Sequence, residues 1–433
     1  MRLPKADAFA LELLAGSAVN CVVVPQGELA AGFVEAAHKQ GLQVLAEAPA
    51  DSVDAALAAG SDGAVAQGRF NAAARAKLQA AGKRVVEIVP RAELDWQSKP
   101  EVLATAQGLW PGIRAEKDGA LQAHPTSGPW IETNGGALRF LRAIAAPETA
   151  IWITVRPPRE PLRAAAYIKA LGDAAISGAT WLVDLDADLW AALRNNDERA
   201  RKDWQRLTGV LKFYRDQRAL CRWRDYSALA LVEEAAGGAL VSGGVVDMIA
   251  AKHIPVTVTT PDGLTGNGLA DTRMLLTLDP AALTAEQKEA ARNMARRGGT
   301  LVNGPPGWKM ELPPPDRVTY SAEQLKQLDE IWREINSLIN RRNFAVRVFG
   351  APGMLSNLKA GEGRMALHLV NYTDYPVENV TLHFNAKLKS ARWLTPRGER
   401  ALEVYDTEDG SGVDMPLVED VGIVLLEAAQ EKR

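Results

Sequence analysis

The chain has 433 residues, of which 47% are hydrophobic and 24% charged, and this predicts a globular protein of two or three domains. Its formal net charge of −3 argues against a nucleic-acid or anionic-membrane partner, because such a partner calls for a basic surface. The longest apolar runs, such as Ile151–Val155, are far shorter than the roughly 20 residues that span a bilayer, so we expect no membrane span.

Cysteine, histidine and cofactor motifs give no sign of a prosthetic group. Cys21 and Cys221 are predicted to be free buried thiols, with one disulfide as the alternative. The five histidines lack metal-ligand spacing, and neither a P-loop, a dinucleotide fingerprint, a nucleophile elbow nor an HExxH motif occurs, so we expect no cofactor. Met1–Lys5 contains no apolar segment, so we expect no signal peptide in this sequence. Export with a native signal removed stays open beside a cytoplasmic location.

Residues 19–186 alternate short β-branched segments with Ala-rich segments of helical periodicity, as repeated βα units do. The predicted strands are Val19–Val24, Gln43–Ala48, Gly63–Ala66, Arg84–Val89, Ala104–Leu109, Trp130–Glu132, Ile151–Arg156 and Trp181–Asp186. The predicted helices are Ala30–Gln40, Ser52–Ala59, Ala72–Ala81, Ala137–Ala145 and Leu162–Ile176. Eight such strands predict a compact (β/α)8-type barrel over residues 1–200, with a doubly wound open sheet as the alternative.

Two further units follow a charged amphipathic stretch, Asp188–Arg224. Over residues 201–342, alternating strands and helices predict a flavodoxin-like or amidotransferase-like α/β domain with flanking helices. Its predicted elements are Ser227–Val232, Gly244–Lys252, Pro255–Thr259, Met274–Leu278, Ala285–Arg297, Thr300–Asn303 and Ser321–Arg341. Alternation and turn signals over residues 343–433 predict a small antiparallel β-sandwich. Its predicted strands are Ala345–Phe349, Met365–Val370, Val380–Phe384, Ala391–Leu394, Ala401–Val404 and Val421–Leu426.

The domain order and three stretches resemble certain multidomain bacterial β-galactosidases, a group of glycoside hydrolases. The stretches are Val183–Asp186, which closes the barrel, Ala295–Pro306 in the middle unit and Leu369–Val380 in the last. The resemblance implies a catalytic barrel with two glutamates in acid and nucleophile roles. It also implies a non-catalytic middle domain that helps to form oligomers, so a homo-oligomer is a possible assembly.

The sequence departs from that group where the catalytic glutamates are expected. The predicted fourth strand reads Val85-Val86-Glu87-Ile88-Val89-Pro90, without the Asn-Glu pair at its end, and the predicted seventh strand ends in Arg156. The middle unit also lacks amidotransferase chemistry, because Cys221 precedes its first strand and has no histidine nearby in sequence. The architecture is therefore expected to carry over, whereas the catalytic residues and the galactoside specificity are not.

Glu132 is the first candidate acid, because it ends a predicted strand, follows the aromatic Trp130 and precedes a helix. Glycoside hydrolysis needs two carboxyl groups that face each other across the bond, and different barrel strands can supply them. The alternative is that Glu132 and Asn134 only serve the N-terminus of the following helix.

Asp184 and Asp186 share one face of the last predicted strand. An acid in an otherwise apolar strand is costly unless it is paired or reactive, so both are candidates, with Asp186 at the mouth of the barrel and Asp184 supporting it. A structural salt bridge to Arg156 or Arg159 is the competing interpretation. Arg156 is alternatively a ligand for a sugar hydroxyl.

Glu47 and Glu87 are each either an inward-facing acid or a surface residue, because a shift of one residue reverses the direction of a strand side chain. Trp110, with Trp130 and Trp152, is a candidate sugar platform, although a tryptophan at a strand end more often belongs to the core.

These residues predict a glycoside hydrolase with Glu132, Asp186 and Asp184 as catalytic residues. Its predicted binding residues are Trp110, Trp130, Asn134, Arg156, Glu47 and Glu87. The first alternative is a catalytically inactive barrel that binds glycan or serves assembly, and the second is a barrel hydrolase with a different substrate.

Overall fold

The structure is a computed structural model. It describes residues 1–111, 113–115, 121–123, 133–158, 161–233, 240–265, 269, 271–304, 322–338 and 345–429. Within these ranges no helix is long and apolar enough to cross a membrane.

The N-terminal part is a curled parallel sheet of seven strands in the order β1-β2-β3-β4-β5-β8-β9. These strands are β1 (Cys21–Pro25), β2 (Gln43–Glu47), β3 (Gly63–Gln67), β4 (Arg84–Ile88), β5 (Val102–Thr105), β8 (Ala150–Ile153) and β9 (Thr180–Trp181). A short antiparallel pair, β6 (Ile113–Ala115) and β7 (Leu121–Ala123), lies in the connection that follows β5.

Residues 1–3 join the two edges of this sheet. Arg2 forms parallel bridges both to Val23 in β1 and to Asp184 just beyond β9. The Arg2 amide donates to Val183 O at 2.7 Å, and the Leu3 amide donates to Val23 O at 2.9 Å. The sheet therefore closes on itself. The N-terminal segment brings the number of strands in the barrel to eight, and it is the first of them in chain order.

The strand predicted at Trp130–Glu132 lies outside the described residues. The wall is continuous there, because β5 pairs directly with β8 and Leu103 lies opposite Ile151. Counting from residues 1–3, the fourth strand is β3 rather than the predicted Val85–Pro90 segment. Met1–Leu3 was missed because three residues are too few to show a periodic pattern.

Alternation along the strands fills the barrel with apolar side chains. Every second residue points inward, as the period of two requires. The inner core is formed by Val23, Leu45, Val65, Val86, Ile88, Ala104 and Leu182.

Helices cover the outside of the barrel, and the predicted ones are confirmed to within a few residues at each end. They are α1 (Ala8–Leu14), α2 (Ala31–Lys39), α3 (Asp54–Ala58), α4 (Ala72–Ala80), α5 (Gly135–Ile144), α6 (Ala164–Ile176) and α7 (Ala187–Arg194). The charged stretch that follows forms α8 (Glu198–Asp216) and α9 (Arg218–Arg222).

The middle unit is a parallel sheet of four strands in the order β12-β11-β13-β14. The strands are β11 (Leu229–Val232), β12 (Thr257–Thr259), β13 (Met274–Thr277) and β14 (Thr300–Asn303), preceded by the two-residue β10 (Arg224–Asp225). Its helices are α10 (Leu240–Ala251), α11 (Ala285–Arg296) and α12 (Ala322–Leu338). Each of the four strands predicted for this unit overlaps an observed strand.

The C-terminal unit consists of two antiparallel sheets, in the orders β10-β16-β17-β23-β19-β20 and β15-β18-β22-β21. The strands are β15 (Val346–Phe349), β16 (Met354–Gly361), β17 (Arg364–Asn371), β18 (Val377–Phe384), β19 (Leu388–Thr395), β20 (Gly398–Leu402), β21 (Val404–Asp406), β22 (Ser411–Val418) and β23 (Val421–Ala428). Sequence patterns missed β16 and β22. Both carry polar residues at buried positions, such as Lys359 and Ser411, which obscure the alternation.

Candidate active site at the mouth of the barrel

Polar side chains gather where the strands of the barrel end. Glu47 and Gln67 are the last residues of β2 and β3, Thr154 follows β8, and Asp184 follows β9. Arg2 lies between β1 and the segment that follows β9. Each continues the inward-facing set of its strand, so the period of two that builds the apolar core also brings these side chains together at the C-terminal end.

Arg2 is the centre of this cluster. Its guanidinium binds Glu47 through Nε at 3.2 Å and through a terminal nitrogen at 3.3 Å. The other terminal nitrogen donates to Thr154 Oγ1 at 3.0 Å and to Asp184 Oδ2 at 3.5 Å. With a side chain only 3% exposed, Arg2 holds both carboxylates from the inside of the barrel.

Arg156 joins the same two carboxylates from the solvent side. Its two terminal nitrogens lie 2.9 Å from Asp184 Oδ2 and 3.2 Å from Glu47 Oε1. The Gln67 amide adds a hydrogen bond of 2.8 Å to Glu47 Oε1. Because the Arg156 side chain is 60% exposed, it is the member of the cluster that a ligand can displace.

The cluster is electrically balanced, with two guanidiniums opposite two carboxylates. Charge-assisted hydrogen bonds of this kind are stronger than neutral ones, and a buried pair that keeps both partners avoids the cost of an isolated charge. The arrangement places carboxylate oxygens and an exposed guanidinium at one point of the barrel mouth. It suits recognition of hydroxyl groups and stabilisation of a positive charge.

Asp186 has a different place from the one predicted. Its Oδ1 accepts from the Leu189 amide at 2.9 Å and caps α7, while its Oδ2 accepts from the Tyr167 hydroxyl at 2.8 Å. Both oxygens are thus engaged in holding α6 and α7. The expected roles are reversed, since Asp184 and not Asp186 belongs to the mouth cluster.

Glu87 lies on the outer face of the barrel wall, so the prediction that it is a binding residue in the mouth is wrong. Its Oε1 accepts from the Phe70 amide at 2.9 Å and from Arg75 on α4 at 2.5 Å. In contrast to Glu47, Glu87 is out of phase with the inward-facing Val86 and Ile88 on its own strand.

Trp110 and Asn134 are enclosed rather than presented to solvent. The Trp110 ring packs against Tyr167 and Trp181, and its Nε1 donates to Arg156 O at 3.0 Å. The Asn134 amide group donates to Asp173 Oδ2 and to Leu109 O, both at 2.9 Å. Neither side chain joins the mouth cluster, and Trp130 and Glu132 lie outside the described residues.

Sequence reasoning missed Arg2, Gln67 and Thr154. The signal for Gln67 and Thr154 was present, because each occupies the inward phase of a correctly predicted strand. Arg2 gave no signal without the N-terminal strand. Within the described ranges, no three His, Cys, Asp or Glu residues are placed to hold a metal ion.

Comparisons with known proteins support the fold. No protein-family model matches the chain, and no curated protein matches it in sequence. Among solved structures, α-L-fucosidase isoenzyme 2 from Paenibacillus thiaminolyticus has a TM-score of 0.61 at 10% identity, covering 99% of this chain and 99% of that chain. A rhamnosidase from Novosphingobium sp. PP1Y reaches 0.46 at 10% identity, covering 93% of this chain and 39% of its own.

A GH42 β-galactosidase from G. stearothermophilus has a TM-score of 0.36 at 12% identity, covering 92% of this chain and 66% of that chain. TM-scores below 0.5 do not establish a shared fold, so the fucosidase carries the comparison. Its likeness extends over essentially the whole of both chains. The chain therefore shares its overall fold with this solved enzyme.

Proposed function

We propose that this protein is a glycoside hydrolase whose site lies at the C-terminal mouth of the barrel, with a carbohydrate as its substrate. The observation that carries the proposal is the inward-facing pair Glu47 and Asp184, both bound by the single exposed guanidinium of Arg156. Carboxyl groups at the C-terminal ends of barrel strands lie where barrel enzymes have their active sites, and Asp184 supplies one of the two carboxyl groups that glycoside hydrolysis requires. Residues 1–200 form the catalytic unit in this proposal.

Asp184 is assigned the anionic role, in which a carboxylate stabilises the positive charge that develops on the sugar ring. Arg2 fixes its position from inside the barrel. Arg156 gives up its contacts with Asp184 and Glu47 when the sugar enters and binds a substrate hydroxyl instead. Glu47 then accepts from a second hydroxyl.

Glu132 is proposed as the general acid, with Trp130 beside it as the sugar platform. Glu47 and Asp184 each already bind two guanidiniums, so the acid role is given to a residue outside this pair. Glu132 belongs to the connection between β5 and α5, which follows the C-terminal end of a barrel strand as active-site connections do.

The remaining units take supporting roles in this proposal. Residues 201–342 form an amidotransferase-like unit without chemistry of its own, and burial raises the pKa of its flanking Cys221 thiol to about 12, which removes the thiolate needed for a nucleophile. Residues 343–433 form the β-sandwich. Assembly into a homo-oligomer is part of the proposal on the strength of the domain plan alone.

A non-catalytic glycan-binding barrel is the second candidate, and a specific observation favours it. The fourth strand ends in Gln67 and the seventh is followed by Thr154, so neither ends in an acid. Both carboxylates in the mouth are also paired with arginines. A site of this kind binds hydroxyl groups without cleaving the bond between sugars.

The experiment is a hydrolysis screen over aryl glycosides and natural oligosaccharides, combined with a glycan array, for wild type and Asp184→Asn. Turnover by wild type that falls at least 100-fold in Asp184→Asn supports the hydrolase. Glycan binding without turnover, lost in the variant, selects the second candidate. Turnover that survives Asp184→Asn contradicts the proposed site. If the wild-type protein shows no turnover and binds no glycan, both candidates are contradicted.

A further inference from the structure

A contact between backbones joins the middle unit to the barrel beside the candidate site. Helix α10 crosses the start of α5, and a Cβ atom on Gly136 would collide with the carbonyl oxygen of Gly243. Gly243 and Gly136 thus allow the two backbones to meet. The start of α5 is also where the chain arrives from the C-terminal face of the barrel.

Asp247 of α10 is the polar side of this contact. Its Oδ1 accepts from the Thr133 hydroxyl at 2.5 Å and from the Gly136 amide at 2.6 Å, and the residue is 8% exposed. One carboxyl of the middle unit therefore holds the turn over residues 133–136 and satisfies an otherwise unpaired amide in the first turn of α5.

A second buried carboxyl grips the same turn from the other side. Asp173 of α6 accepts from the Asn134 amide at 3.1 Å and from the Asn134 side chain at 2.9 Å through Oδ2. Its Oδ1 accepts from the Tyr372 hydroxyl of the C-terminal unit at 2.8 Å. Thr133 and Asn134 are neighbours, so two acids from different units converge on two consecutive residues.

The charged groups around Asp247 do not neutralise the negative charge of its ionised carboxylate. Asp173 opposes its ionisation, while Arg139 of α5 favours ionisation as the weakest of the contributions. Tyr372 faces the pair as a neutral phenol whose pKa burial raises further. On the other elements that pack against α10, Lys359 of β16 pairs with Asp225, and Asp329 of α12 acts on Lys252. Burial therefore dominates and raises the pKa of Asp247 to about 7.

We propose that Asp247 is a proton-dependent clamp: protonated, it holds the turn over residues 133–136 against the middle unit, and on ionisation beside Asp173 the contact loosens. The inference goes beyond the proposed function and does not depend on it, because it concerns only the contact between α5 and α10. Its consequence is that the middle unit controls how firmly the last part of the β5–α5 connection is held.

Hydrogen–deuterium exchange of the full chain between pH 5 and pH 8 tests the clamp, with intrinsic exchange rates divided out. Opening of the contact exposes a carboxyl of ordinary pKa 3.8, against about 7 in the closed form. The opening constant of residues 133–145 is therefore expected to rise up to about tenfold per pH unit below pH 7 and to level off above it.

Asp247→Asn keeps an oxygen acceptor and removes the charge, so its opening constant is expected to vary with pH much less than that of wild type. The dependence that remains comes from Asp173, whose pKa burial also raises. Thr133→Val removes a hydrogen bond that stabilises the ionised carboxylate, so the pKa of Asp247 in the closed form rises further. The pH at which the opening constant levels off therefore moves upward. Asp216→Asn, exposed on α8, is the matched control and is expected to behave as wild type.

Wild-type exchange that does not change with pH, or a pH dependence that is undiminished in Asp247→Asn, overturns the proposal. If Asp247→Asn fails to fold, Thr133→Val decides: an upward shift supports the clamp and an unshifted profile overturns it.

Discussion

Arg2 and Glu47 form a bidentate ion pair across the mouth of the barrel, with nitrogen–oxygen distances of 3.2 and 3.3 Å. The two residues are on separate strands, and Arg2 belongs to the segment that closes the sheet. The element that completes the barrel wall thus also places a cation under the two carboxylates. The same N-terminal segment therefore closes the barrel and completes the candidate site.

Glu47→Gln is expected to lower the free energy of unfolding by about 1–3 kcal/mol, because it leaves the nearly buried Arg2 with only Asp184 as a charged partner. Urea denaturation at neutral pH measures the change. The control is Glu399→Gln, which breaks the exposed pair with Arg392 and should change the free energy by less than about 1 kcal/mol. Equal effects of the two substitutions would show that the mouth pair is no more than a surface contact.

Asp186→Ala is expected to destabilise the protein by about 1–2 kcal/mol, because α7 loses its N-cap and the Tyr167 hydroxyl loses its acceptor. Asp186→Asn should recover most of this loss, since asparagine is as good an N-cap as aspartate. Thermal unfolding of the three proteins provides the comparison. A loss in Asp186→Asn as large as in Asp186→Ala would mean that the negative charge, and not the cap, is what matters.

Gly136→Ala is expected to cost about 1–3 kcal/mol, because the added methyl group meets the Gly243 carbonyl across the α5–α10 contact. Gly209→Ala in α8 is the matched control. A Cβ there meets nothing within 4 Å, so this variant should gain about 0.5–1 kcal/mol from helix propensity. Chemical denaturation of both variants tests the pair, and a tolerated Gly136→Ala would refute the close approach of the two helices.

His368 should make stability depend on pH below neutrality. Burial, and next the Lys359 cation, lower its pKa from 6.5 to about 3. A histidine whose pKa is lowered on folding binds fewer protons in the folded state, so stability falls as the pH drops below 6.5. Between pH 7 and pH 5 this contributes a loss of about 2 kcal/mol.

His368→Leu removes that contribution. Urea midpoints at pH 7 and pH 5 should therefore show a smaller acid loss in the variant than in wild type, by about 2 kcal/mol. Identical losses in the two proteins would indicate that His368 is protonated without cost in the folded state.

Local patterns were sufficient for most elements, because Val22–Val24 or Ile151–Ile153 in a βα repeat can only be buried strands. They were insufficient where an element is short or its buried positions are polar. Met1–Leu3 is held by neighbouring strands rather than by its own propensity, and β16 buries Lys359 because Asp225 neutralises it. Such elements depend on tertiary partners, which no local window contains.

The same distinction applies to the candidate site. Glu47, Asp184 and Arg156 could be identified because an acid or a base at the end of an apolar strand is conspicuous. Sequence alone could not show which of Glu47 and Glu87 faces inward, because a shift of one residue along a strand moves every side chain to the opposite face. The exchange of roles between Asp184 and Asp186 had another cause, since helix α7 begins directly after Asp186 and takes that side chain as its cap.

The most direct test of the central claim compares Glu47→Gln with Glu87→Gln in the turnover of the best substrate from the hydrolysis screen. Glu47 is the last residue of β2 and Glu87 the last but one of β4, in the same barrel wall, but Glu47 faces the mouth and Glu87 faces α4. The account predicts that Glu47→Gln lowers kcat/KM at least 100-fold, whereas Glu87→Gln keeps it within about threefold of wild type. Equal losses in both variants, or a loss in Glu87→Gln alone, would contradict a carbohydrate site at the barrel mouth.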